Sequence, residues 1–345
     1  MTVAETGATR LSGSVDMTHG GGGRAMAELI RDLFRRHLGN PILDQRNDAA
    51  LLEPQSGRLV MTTDGHVISP LFFPGGDIGS LAVHGTLNDV AMSGARPLYL
   101  TAGFILEEGF PLADLDRIVA SMARAAKEAG VPVVTGDTKV VEKGKGDGVF
   151  ITTTGLGVVP DGVDISAENA RPGQAILLSG SIGDHGVAIL SKRENLEFET
   201  EIRSDSAALH GLVAGMVAAV PGIAVLRDPT RGGLSATLNE IARAANVGMQ
   251  LDEAEIPVKP DVAAACELLG LDPLNVANEG KLVCICEAQN AETLLAVMRA
   301  HPLAHDASLI GHVIPDDANL VQMTTGFGGN RMVDWLSGEQ LPRIC

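Results

Sequence analysis

A two-domain α/β fold is predicted by three observations. The chain has 345 residues, more than one hydrophobic core usually holds, so two units of about 150 residues are expected. Hydrophobic residues make up 45% of it but aromatics only 3%, and there are 41 glycines. The interior must therefore be Ala, Val, Leu and Ile packed close to backbone. Strand-like runs alternate with helical ones along most of the length.

The elements follow in order. Residues 1–17 are polar and Gly-rich and read as a disordered leader. His19 and four glycines, including Gly21 and Gly22, form a flexible loop before a helical pattern over 26–38, and glycine-rich backbone entering a helix can receive an anion. Strands are expected at 58–63, 97–106, 131–135 and 149–159, with helices at 78–93 and 112–129, giving a sheet backed by two helices. Turn residues cluster over 161–172, and a second α/β half starts at 174–180. Its helices are expected at 207–219, 234–246, 262–269 and 291–300, its strands at 281–286 and 308–313. Beyond 320 the periodicity fades into a Gly-rich stretch at 325–329. The expected organisation is a leader (1–17), an N-terminal domain (18–162), a C-terminal domain (170–320) and a flexible tail (321–345).

Charge and cysteine usage exclude several function classes. Lys and Arg number 26 against 43 Asp and Glu, a net charge of −17, with no basic run or aromatic platform, which argues against nucleic acid as a partner. An acidic protein can still bind phosphates where divalent cations bridge the two. The first 17 residues lack the apolar core of a signal peptide and no apolar run reaches a membrane span of about 20 residues, so a cytoplasmic protein is expected. Four cysteines, at 266, 284, 286 and 345, are too few and too clustered for a disulfide framework.

Candidate chemistry begins with aspartates among small residues, placed at strand ends or in turns beside helices: Asp48, Asp64, Asp89 and Asp137. Taken singly, such residues are more often turn formers and helix caps. Together they suit Mg²⁺ holding a polyphosphate, with Lys139 as a point charge on phosphate. No standard phosphate loop is present, because neither Gly144-Lys145 nor Gly280-Lys281 has the required spacing. Asp228 and Arg231 precede a helix start able to bind an anion, or simply to cap that helix. Glu279, beside Lys281 at the entrance to a strand, is a candidate general base, although such a site is more often a solvated turn. Cys284 and Cys286 alternate on one strand and read as core, and Pro302 separates His301 from His305. Cys345, after Pro342, Arg343 and Ile344, suits a covalent carrier on a mobile tail.

The motifs resemble, in one order along nearly the whole chain, the HypE family of hydrogenase maturation proteins. This family lies in the aminoimidazole-ribonucleotide-synthetase-like (PurM-like) superfamily of ATP-using enzymes. The resemblance rests on residues 19–23, 69–79, 103–109, 135–141, Gly183-Asp184-His185-Gly186, Asn278-Glu279-Gly280-Lys281 and Pro342-Arg343-Ile344-Cys345. It implies two domains per subunit, a homodimer formed through the N-terminal sheets, and ATP with Mg²⁺ in a cleft lined by the Gly-rich loop and the acidic residues. It also implies a reaction. A carbamoyltransferase, HypF, loads a carbamoyl group onto the Cys345 thiol, and ATP-dependent dehydration turns it into a thiocyanate. The cyano group then passes to iron on a complex of HypC and HypD. By that resemblance Cys345 carries the substrate, Glu279 is the base, Lys139 a cationic stabiliser, and Pro342, Arg343 and Ile344 aim the thiol.

Two rival readings are compatible with the same residues. One is a kinase or synthetase of the same superfamily acting on a free small molecule such as selenide, thiamine phosphate or a purine intermediate, which would not need Cys345. The other is a non-catalytic cyano-carrier scaffold.

Overall fold

In a computed structural model the described residues are 12–45, 47–196, 201–335 and 343–345. Residues 1–11 of the expected leader, and Pro342, lie outside them. The leader's last residues are ordered: Val15 is buried, its N–H donates to Phe110 O, and Asp16 caps a 3₁₀ turn at Met17–Gly20. One apolar side chain with a paired backbone is enough to pin this stretch. The expected helix at 26–38 is interrupted, with α1 (Arg24–Leu29) and α2 (Arg35–Leu38) flanking a π-turn at Ile30–Phe34.

The N-terminal unit is a four-stranded sheet backed by helices. Chain order runs β1 (Arg58–His66), a small hairpin of β2 (Phe72–Phe73) and β3 (Gly76–Asp77), α3 (Ile78–Met92), β4 (Arg96–Glu107), α4 (Leu112–Ala129), β5 (Val133–Val141) and β6 (Val149–Val159). In space the strands are ordered β1-β6-β4-β5, antiparallel except for the β4–β5 pair that α4 connects. Alternation decides what each face carries. Val60, Thr62, Asp64 and His66 face the helical layer, while Leu59 and Met61 lie on the opposite face with Ile105 and are 61%, 72% and 42% exposed. Two strands run further than expected, so Asp64 lies within β1 and Asp137 in the middle of β5, not at strand ends, and Asp89 belongs to α3. Ladder pairing with β6 and β4 outweighs the turn preference of Asp beside Gly.

The second unit continues with β7 (Ala175–Leu178), α5 (Asp184–Arg193), α6 (His210–Ala219), β8 (Val225–Arg227), α7 (Gly233–Ala245), β9 (Gly248–Asp252), α8 (Pro260–Leu269), β10 (Val283–Cys286), α9 (Ala291–Ala300), β11 (Ser308–Ile314), β12 (Val321–Thr324) and β13 (Asn330–Met332). Its sheet order is β13-β12-β9-β11-β7-β10-β8. Both faces of the central strands are covered: Leu177 and Cys284 pack against α6 and α9, Ile176 and Ile285 against α7. Residues Val90, Ala91 and Met92 of α3 join the first of these clusters, which ties the two units together. α5, β8 and β9 lack a clear sequence signal, being short or polar at their starts. The expected tail at 321–345 is shorter than its bounds, because β12 and β13 add to the sheet edge beside β9. α9 ends at Ala300, so His301 and His305 share no helical face. No helix among the described residues is long and apolar enough to cross a membrane.

Candidate active site

Asn278, Glu279 and Lys281 do not form the expected solvated turn; they are 0%, 4% and 9% exposed. Hydrogen bonds between side chains and backbone tie the loop to neighbouring segments. Asn278 accepts from Gly183 N–H at 2.8 Å and donates to Pro229 O at 2.9 Å. Asp205 accepts from the N–H groups of Glu279 and Gly280 at 3.1 and 3.2 Å and pairs with Lys281 Nζ at 3.1 Å. Burial alone would raise the Asp205 carboxyl, but Lys281, His185 and these amides hold it below the ordinary value. A Cβ on Gly280 would sit 1.9 Å from Asp205 O, so the close approach admits only glycine. Asn88 of α3 completes the frame, donating to Glu279 O at 3.2 Å and accepting from Leu209 N–H at 2.8 Å.

That frame aims Glu279 into a cavity of about 350 Å³ lined also by Asp64, Asp89, Asp228, Thr230, Arg231 and Cys345. A second polar cavity of about 460 Å³ shares Asp89, Asp228, Thr230 and Arg231 and extends the cleft towards Thr62 and Glu240. The carboxylates are close enough to perturb one another. Desolvation, then Asp228, Asp205, Asp64 and Asp89, push Glu279 well above the usual carboxylate range. Burial and Asp89 push Asp228 up to about 7, and burial and Asp64 raise Asp89, whose carboxylate accepts from Thr62 Oγ1 at 3.0 Å. Glu279 Oε1 is buried without a hydrogen-bond partner among the described residues. Beside them His66 is buried and its pKa is lowered by desolvation, against the pull of Asp64.

Cys345 enters this cavity on a docked segment. Val67 N–H donates to Cys345 O at 2.9 Å and Ser69 N–H to Arg343 O at 3.3 Å, so residues 343–345 pair with the chain just beyond β1. Ile344 is 3% exposed and packs into the N-terminal core. Arg343 forms an ion pair with Asp147. Burial, then Glu279 and Asp64, push the thiol up to about 12, against the pull of Arg231. A docked thiol is therefore protonated and unreactive at neutral pH.

Within one chain the expected acidic quartet does not converge. Asp64 and Asp89 line the cleft, whereas Asp137, paired with Gly103 across β4, points to the opposite face of the sheet. Asp137 and Lys139 hold each other at 2.6 Å, both largely exposed. Asp137 also lines a separate groove of about 530 Å³ between α1, α2 and β5. Gly20 lies against Val140 near the end of β5, a Cβ on Gly21 would meet Met17 O and Thr18 O at 3.7 Å, and Gly22 takes positive φ with open space around it. Asp48 is exposed and lines neither cavity. Sequence reasoning missed Asp205, His185 and Arg193. Only His185 has a signal, the Gly183–Gly186 motif at the start of α5.

Comparison with known proteins decides the family. Residues 46–159 match the N-terminal domain, and residues 171–323 the C-terminal domain, of AIR synthase related proteins. Carbamoyl dehydratase HypE of Azotobacter vinelandii is 72% identical over 334 residues, covering 97% of this chain and 98% of that protein. The chain belongs to the HypE family of carbamoyl dehydratases. A crystal structure of hydrogenase maturation protein HypE in complex with ATP matches with a TM-score of 0.93 and 53% identity, over 95% of this chain and 99% of that one. A crystal structure of a HypE–HypF complex matches with a TM-score of 0.79 and 50% identity, over 89% and 99%. Membership of the HypE family makes the chain an enzyme of hydrogenase maturation, as the motif resemblance implied, and not a kinase of free metabolites.

Proposed function

We propose that this protein dehydrates a carbamoyl group carried on the sulfur of Cys345, at the expense of ATP, inside the cleft formed by Asp64, Asp89, Asp228, Arg231 and Glu279. One observation carries the reading: the Cys345 sulfur and the buried carboxyl of Glu279 share one 350 Å³ cavity. An amide oxygen leaves poorly. Phosphoryl transfer from ATP to that oxygen makes it a phosphate leaving group, and loss of both N–H protons then yields the nitrile as phosphate departs. Glu279 suits the proton abstraction, since a carboxylate whose proton affinity is raised by burial and by Asp228 is a stronger base than an ordinary one. Arg231 offers a cation to the developing phosphate charge at the cleft mouth. The docked, protonated thiol cannot be the form that is loaded, so residues 343–345 leave the cleft for carbamoylation and return with the substrate.

Among the described residues no group of three or more His, Cys, Asp or Glu is arranged to hold a metal by itself. That agrees with Mg²⁺, which takes one or two carboxylates and completes its shell with phosphate oxygens. Asp64 and Asp89 would hold it, and Glu279, whose buried Oε1 has no hydrogen-bond partner among the described residues, adds a hard-oxygen side chain to the same lining. When bound, Mg²⁺ would neutralise phosphate charge. Asp137, Lys139, Asp48, Gly21 and Gly22 would serve ATP from a second subunit, because the exposed apolar face of Leu59, Met61 and Ile105 favours pairing of N-terminal sheets in a homodimer. HypF as the loading partner follows from the complex of a relative. HypC and HypD are the expected cyano acceptors, and the free thiols of Cys266, Cys284 and Cys286 suit a cytoplasmic setting. Intact-mass analysis of the peptide bearing Cys345 tests the reading. A carbamoyl gain after HypF treatment, then loss of one water on adding ATP, is expected; a carbamoyl adduct stable to ATP and Mg²⁺ would overturn it.

A further inference from the structure

The docked segment is held by its backbone, and two of its partners come from α5. Between the two carbonyls that pair with Val67 and Ser69, Ile344 O points the other way and accepts from His185 Nε2 at 2.8 Å. A carbonyl only accepts, so Nε2 carries the proton. Nδ1 then accepts from Ser204 Oγ–H at 2.7 Å, and Ser204 Oγ in turn accepts from Ser206 N–H at 3.1 Å. His185 is 0% exposed, and the Phe73 ring meets it edge-on at 5.7 Å. Further along α5, Arg193 donates to Ser69 O and to Arg343 O, each at 2.8 Å, bridging both sides of the short ladder. Neither His185 nor Arg193 lines the cavity that holds the sulfur.

We propose that α5 is the dock that sets the register of residues 343–345, with His185 and Arg193 as positioning residues for the dehydration. The inference rests on the carrier reading above. Register matters because a one-residue slip along an extended pairing moves the chain by about 3.4 Å and turns each side chain to the opposite face. The sulfur would then leave Glu279, and Ile344 would leave the core. Bonding two consecutive tail carbonyls to one helix blocks that slip.

The test uses the full-length protein with two readouts. One is iodoacetamide alkylation of Cys345 without nucleotide; the other is single-turnover dehydration of the carbamoylated protein, followed by mass. His185→Leu leaves a buried carbonyl unpaired, so alkylation should rise about tenfold and dehydration fall about tenfold, with loading by HypF retained. His185→Gln, which keeps an N–H near the position of Nε2, should recover most of both. A folded His185→Leu protein with wild-type alkylation overturns the dock. Faster alkylation with unchanged dehydration overturns the positioning role. Should His185→Leu fail to fold, Arg193→Gln carries the same comparison with the same criteria. Wild-type protein that loads but never dehydrates would instead sink the carrier reading.

Discussion

Ile344→Ala is the sharpest probe of whether Cys345 belongs in the cleft. The docked thiol stands near 12 against an ordinary value of 9.0, so at pH 8 its thiolate fraction falls about a thousandfold below that of an unstructured peptide. Greater intrinsic nucleophilicity of the more basic thiolate returns part of this, a factor of about 20 for a Brønsted slope near 0.45. The net chemical protection is then about fiftyfold, before any steric shielding. Ile344 supplies the main apolar anchor, 3% exposed in the N-terminal core. Truncation to Ala removes about 2 kcal/mol of burial, the low end for a core Ile, which shifts docking about thirtyfold towards the open form. Alkylation timed by mass at pH 8 should show wild-type Cys345 at least fiftyfold slower than the free peptide, and Ile344→Ala within a few-fold of it. The sign with pH follows. A thiol whose value is raised on docking favours the docked form fully below pH 9 and loses that preference as pH rises towards 12, so protection should collapse in that window. Wild-type reactivity within a few-fold of the peptide at pH 8 would refute the docked arrangement.

Three further outcomes are expected. Glu279→Gln should slow dehydration of loaded protein by about a hundredfold or more with little loss of stability, since burial and the neighbouring carboxylates already disfavour the charged form that the substitution removes; wild-type single-turnover rates would dismiss it as the base. Asp228, raised to about 7, makes the native state hold a proton that the unfolded chain releases above 3.8, so stability should fall as pH rises from 4 through 7. Asp228→Asn should flatten that slope in thermal melts between pH 5 and 8, and an unchanged slope would assign it elsewhere. Lys281→Met leaves Asp205 buried without its cation and should cost about 3 kcal/mol in urea unfolding; a loss below about 1 kcal/mol would mean the pair is not buried as described.

Long, strongly patterned elements are legible in the sequence itself. α4, β6 and α9 run over the bounds that periodicity predicts, because each has a continuous apolar face to bury. α5 is not legible in this way: it opens with Asp184 and His185, both buried, and such polar residues look like loop until their partners Lys259, Ser204 and Ile344 O are known. The Asn278–Lys281 loop shows the same limit, since a carboxylate and an ammonium read as solvated unless a distant aspartate, here Asp205, is brought against them.

The linear order of residues was sufficient for the family, the two α/β units, the acidic character and the terminal thiol, because motifs and periodicity are local properties of the chain. It could not tell that Asp64 and Asp137 occupy opposite faces of one sheet, since that depends on where each strand begins and on its register with β6 and β4. Nor could it bring Cys345 beside Glu279, 66 positions away. Burial and long-range pairing create that meeting, and they also create the shifted acidities on which the chemistry rests.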